Sequence, residues 1–245
     1  MPGQVHTGFA QTVANLANIN TNASHSSSGF INEVKKRMLS NDIEKNLVIT
    51  GYSKGGAIAQ LAAILLTKLG IPASKIKVRT FAAPKCGDKA FADKFNEIFP
   101  NALRYEYQDD VIPHYPFNNE FRDIVVKELN PLIRRVITTI HERDDSSSEY
   151  IHAGKLQYIK TVSDHPELVH DNSELYSLRC HNLAEKVKNS FDLALIRDHG
   201  HKGFIKFFSN IEDNNANNSL NKFDISLDNF NNTFKSPSEW EKLDQ

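Results

Sequence analysis

With 245 residues, the chain is long enough for one sizeable domain with its own core, plus a tail. Hydrophobic residues make up 40% and charged residues 24%, the balance of an ordinary globular protein rather than a disordered or fibrous one. Lys and Arg total 29 against 30 Asp and Glu, a formal charge of −1, so there is neither a basic field for nucleic acid nor an acidic excess.

The first residues, Met1 to His6, lack the basic and apolar regions of a signal peptide. Val5 to Ile19 reads as the start of a helix, and Asn20 to Gly29 as a polar loop. Phe30 to Leu39 spaces Ile31, Val34, Met38 and Leu39 as one face of a helix, with lysines and Arg37 on the other. Leu47 to Thr50 is a short apolar, β-branched run that predicts a buried strand.

Gly51-Tyr52-Ser53-Lys54-Gly55-Gly56 follows, and then the helix-forming run Ala57 to Leu69. A bare Gly-x-Ser-x-Gly arises by chance, mostly in loops. A strand directly before it and an apolar helix directly after it are what a nucleophile elbow requires, where a sharp turn lifts the serine hydroxyl above the end of a parallel sheet. The glycines two before and two after Ser53 are expected to be there because side chains would collide. Tyr52 carries no expectation of its own. The same helix holds the longest apolar run, Ala57 to Leu66; interrupted by Gln60, it is too short to span a bilayer. The expectation is a soluble chain without an integral membrane segment.

Gly70 and Pro72 stop that helix. Ile76 to Phe81 predicts a second strand, Ala90 to Phe99 a helix stopped by Pro100, and Leu103 to Tyr107 a third strand. Strand and helix thus alternate three times, the pattern of a parallel sheet flanked by helices. Beyond Pro116 the pattern weakens. Tyr150 to Ile159 predicts a last strand and Ser173 to Leu195 one or two helices. From residue 211 the chain turns asparagine-rich, giving an expected core over 1–210 and a flexible tail over 211–245. Cys86 and Cys180 form neither a ligand spacing nor a disulfide framework and are expected to be buried free thiols.

A serine hydroxyl needs a base to take its proton, and a histidine base needs a carboxylate to fix its tautomer. Asp109 and Asp110 directly follow the Leu103 to Tyr107 strand; His199 and His201 come near the end. The order serine, acid, histidine is that of α/β-hydrolases. Residue type alone separates neither Asp109 from Asp110 nor His199 from His201. No other histidine shows metal-ligand spacing, so no metal and no cofactor is expected; His114, close to the acids, is expected to line the serine's pocket.

Val5-His6-Thr7-Gly8-Phe9, the elbow, Thr80-Phe81-Ala82-Ala83-Pro84 and Asp110-Val111-Ile112-Pro113 together resemble the class 3 (fungal-type) lipases, and Tyr150-Ile151-His152-Ala153-Gly154 resembles the family's next strand. The match is close over Val5 to Pro116 and loose over Tyr150 to Phe208. It implies an α/β-hydrolase sheet, with Ser53 as nucleophile, Asp110 as acid and the backbone N–H of Lys54 in the oxyanion hole. The base is His199 if an aromatic follows five residues on, or His201 if three; Phe204 serves either, and Asp198-His199 before a helix favours His199.

The resemblance also implies a lipid ester as substrate, of triacylglycerol-lipase or phospholipase type, with transient contact to a lipid surface and no nucleic acid. Family members carry a further stretch before their V-H-x-G-F motif, with early strands, a lid and a second oxyanion donor, so this chain reads as N-terminally truncated. The competing expectation is a catalytically impaired remnant or split-gene half that serves as a binding module.

Overall fold

The computed structural model describes residues 3–18, 30–40, 46–129, 131, 134–135, 149–162, 165–169, 174–189, 198–200 and 202–215. The run Leu47-Val48-Ile49-Thr50 forms β1 (Leu47–Tyr52), and the apolar run after the elbow forms α3 (Lys54–Lys68), preceded by α1 (Thr7–Asn18) and α2 (Phe30–Leu39). Then come β2 (Ile76–Phe81), the short β3 (Gly87–Asp88), α4 (Lys89–Ile98) and β4 (Leu103–Tyr107). The Asp88 carboxylate caps α4 by accepting the Phe91 N–H at 2.9 Å. The C-terminal half adds α5 (Asn119–Ile124), β5 (Tyr150–Ile151), β6 (Lys155–Val162), β7 (His165–Val169), α6 (Leu175–Asn189) and α7 (Lys202–Asn215).

The main sheet has the order β1-β2-β4-β6-β7; the first four strands are parallel and β7 is antiparallel. The expected alternation of parallel strands and helices is therefore present. On one face Val78 and Ile76 pack with Ile64, Phe91, Phe95 and Phe9 from the helices. On the other, Phe81, Tyr105 and Ile159 meet Phe204, Phe207 and Phe208 of α7, whose spacing of three and four places all three rings on one helix face. A third cluster joins α5 to α6 through Phe121, Val125, Cys180 and Leu183.

Three parallel strands leave the sheet at a common level. Ser53 N–H donates to Phe81 C=O at 2.8 Å, Ala82 N–H to Tyr105 C=O at 2.8 Å and Gln108 N–H to Ile159 C=O at 2.9 Å. All three residues sit at positive φ (54°, 49° and 49°). Each strand thus keeps its ladder for one more bond and then turns sharply, so that the carboxyl ends form a ledge, which is where open α/β sheets carry their sites.

Two expectations change. The single strand over Tyr150 to Ile159 is broken: Tyr150–Ile151 pairs antiparallel with Gly87–Asp88 in a separate two-stranded ribbon, and the sheet strand starts only at Lys155, after Gly154 at φ 85°. The last strand is β7, which the sequence hides because Pro166 interrupts it; at the sheet edge its missing N–H costs no ladder bond. Of the helical stretch Ser173 to Leu195, α6 covers Leu175–Asn189, and residues 190–197 lie outside the described residues. Helix α7 reaches Asn215, and of the expected tail, residues 216–245 lie outside the described residues. Both cysteines are buried and free. Among the described residues no helix is long and apolar enough to cross a membrane.

Candidate active site

Ser53 occupies the one-residue turn between β1 and α3, at φ 54° and ψ −130°. This is the mirror image of extended backbone, costly for a residue with a Cβ. It arises because strand and helix are pressed together. A Cβ on Gly51 would lie 2.1 Å from the Gly55 carbonyl oxygen, and one on Gly56 would lie 2.5 Å from the Ala83 Cβ. Gly55 itself would meet nothing within 4 Å, so the steric need expected two residues after the serine falls one residue later, on Gly56 against the β2 loop. Gly51→Ala is expected to lower stability by about 3 kcal/mol, since only backbone can move aside. A thermal melt should fall by about 10 °C.

The ledge brings three distant residues into one line. Ser53 Oγ lies 2.9 Å from His199 Nε2. His199 Nδ1 lies 2.9 Å from Asp110 Oδ2 and 3.1 Å from Oδ1. Asp110 is wholly buried and accepts the Ile112 N–H at 2.9 Å, which fixes its carboxylate against the β4 turn. With the carboxylate on Nδ1, the ring carries its proton there and Nε2 is free to accept. Lys54 is the first residue of α3, so its N–H has no acceptor inside the helix. His201 lies outside the described residues.

Two residues acquire roles here that nothing in their local sequence announces. Tyr52 stacks on the His199 ring, centroids 5.1 Å apart and planes 28° apart, with Phe204 edge-on to Tyr52 at 6.4 Å. Burial pushes the Tyr52 hydroxyl above its ordinary range and the Asp110 charge adds to this, so the ring stays neutral beside the imidazole. Tyr52 is therefore the wall that orients the histidine, not the indifferent position the sequence suggests. Lys186 of α6 is the second. Its ammonium lies 2.6 Å from Asp109 Oδ2 and 2.8 Å from Asp198 Oδ2. Burial opposes its charge, but the two carboxylates outweigh burial and hold its pKa above the usual lysine value. One side chain thus ties the residue before Asp110 to the residue before His199.

Other candidates fall elsewhere. His114 does not face Ser53; it is buried between Phe121 and Tyr176, with centroids at 4.9 and 5.1 Å. Its Nδ1 lies 3.9 Å from Cys180 Sγ. His6 accepts the Gly8 N–H at 3.2 Å and packs at a tilt against Phe9, a local brace for the start of α1. Among the described residues no group of three or more His, Cys, Asp or Glu gathers where a metal ion could sit.

Residues 1–120 match the model of the family "Lipase (class 3)". A lipase of Caenorhabditis elegans is 38% identical over 72 residues, covering 29% of this chain and 20% of the relative. The secreted mono- and diacylglycerol lipase 1 of Fusarium solani is 31% identical over 112 residues, 46% of this chain and 29% of the relative. The chain thus aligns with less than a third of either relative's length. Among solved structures, the Rhizomucor miehei lipase propeptide complex superposes over 81% of this chain and 50% of its own, with a TM-score of 0.51 and 21% identity. At that identity the likeness concerns the α/β fold alone.

Proposed function

Because the chain belongs to the class 3 lipase family through residues 1–120, we propose that it is a serine-dependent carboxylic ester hydrolase acting on lipids, with Ser53 as nucleophile, His199 as base and Asp110 as its orienting acid. The observation that carries this reading is the unbroken chain of hydrogen-bond distances, Ser53 Oγ to His199 Nε2 and His199 Nδ1 to Asp110, beneath a serine held in a strained turn.

The chemistry follows from those distances. Ser53 Oγ attacks the ester carbonyl carbon as its proton passes to His199 Nε2. Asp110 remains ionised and stabilises the imidazolium. The carbonyl oxygen becomes an oxyanion, to which the Lys54 N–H donates. Collapse breaks the bond to the alcohol, which leaves with the proton from Nε2, and Ser53 holds the acyl group. Water then repeats the cycle: it gives a proton to Nε2, adds to the acyl carbon and releases the fatty acid, and Ser53 regains its hydrogen.

Acylglycerols are the substrates this reading favours, as in the name of the Fusarium solani relative. The test pairs fluorophosphonate labelling of Ser53 with fatty-acid release from mono-, di- and triacylglycerol and from phosphatidylcholine. Labelling together with release supports the proposal. A folded chain that neither labels nor releases fatty acid overturns it in favour of a catalytically impaired module.

The Lys186 bridge makes a separate prediction. Lys186→Met is expected to leave KM within about two-fold and lower kcat about ten-fold, because loosening either carboxylate displaces Asp110 or His199 by a fraction of an ångström. Lys186→Arg, which can still span two carboxylates, should recover most of the loss. Steady-state kinetics on a soluble ester checks both. A change in KM alone would mean that the bridge does not act on the reacting groups.

A further inference from the structure

Helices α1 and α3 pack against each other, and an open groove of about 560 Å³ runs between them. Its walls are Ala10, Ala14 and Ala17 of α1 and Leu61 and Leu65 of α3. On each helix the lining positions recur at i, i+3, i+4 and i+7, so each turns one side to the groove over two turns. From Leu61 to Lys68 that row spans about 10 Å of α3, and it begins about 12 Å along the helix from Ser53. The groove is therefore separate from the Ser53–His199–Asp110 line.

Lys68 closes the α3 row and is the one ionic residue on a lining that is otherwise apolar. It is exposed, and among the described residues its ammonium makes no ion pair or hydrogen bond. The carbonyls that a lysine in the last helical turn commonly serves are already taken. Those of Leu65, Leu66 and Thr67 accept the N–H groups of Leu69, Gly70 and Ile71. The groove is thus an apolar trough with a single cation at its end. Water covers the leucines and alanines at a cost that an apolar chain lying there removes. A sugar, nucleotide or polar peptide would lose its hydrogen bonds to water and gain none along these walls. A guest that is apolar along its length and anionic at one end matches both the walls and the charge.

We propose that this groove binds a medium-length fatty acid, its chain along α1 and α3 and its carboxylate at Lys68. The charge sets the direction: the methyl end points towards Leu61 and the carboxylate towards the C-terminal end of α3. Binding here needs no turnover at Ser53, so the site stands or falls apart from the ester-hydrolase reading, although that reaction would supply its ligand.

The test is a calorimetric titration of the full chain with decanoate below its critical micelle concentration, beside octanoate and decanol. Decanoate should bind saturably and about four-fold more tightly than octanoate, because an open groove buries about half of each added methylene. At about ten times its Kd it should raise the melting temperature by about 4 °C. Lys68→Met should weaken decanoate about three-fold, the size of an exposed ion pair, and leave decanol unchanged. Ala14→Glu, at an exposed position that accepts the longer side chain, should weaken both ligands at least about ten-fold, because it puts a charge where the acyl chain lies. Three results would each overturn the site: no saturable binding to the parent, equal decanoate affinity in the parent and Ala14→Glu, or equal losses of decanoate and decanol in Lys68→Met. A dimer in sedimentation that Ala14→Glu dissociates and decanoate does not would give the groove to a second copy instead.

Discussion

Ser53→Ala is expected to lower ester turnover roughly a millionfold and to abolish fluorophosphonate labelling, with the fold intact. The size follows from the way a nucleophile and its base act as a unit: without Oγ, His199 has no hydroxyl proton to take and no acyl-enzyme can form, so most of the rate enhancement is lost at once and only binding and the oxyanion donor still contribute. Stability should behave differently at this position. Alanine keeps a Cβ at φ 54°, so the strain of the elbow stays. Ser53→Gly, equally inactive, should melt higher by about 1 kcal/mol of stability, because glycine adopts this mirror-image backbone freely. Paired thermal melts and rate measurements on the two variants check this. A glycine variant no more stable than the alanine variant would mean that the turn is unstrained and the serine is not held up by it.

What could be read in the sequence was what local chemistry fixes. The β-branched run before Gly51, the glycines themselves and the apolar run after Gly56 each dictate their own element, so the turn at Ser53 was legible. Chain order after the serine narrowed the candidates to Asp109 or Asp110 and His199 or His201; only the family resemblance, through Asp110-Val111-Ile112-Pro113 and through Asp198-His199 before a helix, singled out Asp110 and His199, and in the fold these two lie with Ser53 in one line of hydrogen-bond distances. What was hidden depends on partners far along the chain. Tyr52 looks like an unconstrained elbow position until His199, from the far end of the described chain, lays its ring on it. Lys186 looks like one more cation on a polar helix face; its meaning exists only once α6 lies beside both loops. The break at His152-Ala153-Gly154 was missed because apolar residues on both sides gave a continuous signal, while the steric reason for it, a second ribbon with Gly87, is non-local. Gly56 rather than Gly55 bears the close contact for the same reason: Ala83 arrives from the loop after β2.

The two adjacent carboxylates at the end of β4 give the second large effect, and their contrast is the sharper test of the arrangement. Asp110→Asn is expected to lower kcat by about 10⁴, although one carboxylate oxygen has become only an amide. Both Asp110 oxygens lie within 3.1 Å of His199 Nδ1, and Oδ1 also accepts the Ile112 N–H. With the amide oxygen kept on Ile112, the amide nitrogen of the substituted side chain must face the ring and donate to Nδ1. That donation drives the proton onto Nε2, where it blocks the atom that must accept from Ser53. Asp109→Asn changes the same functional group one residue earlier, yet its carboxylate meets Lys186 at 2.6 Å and not the imidazole. It should lower kcat no more than about ten-fold and cost about 2 kcal/mol of stability through the weakened charged hydrogen bond. Steady-state kinetics and thermal melts on the two variants separate the cases. Near-equal losses of rate would remove the reason for assigning the orienting role to Asp110, because a general disturbance of the β4 turn, common to both substitutions, would then account for the result.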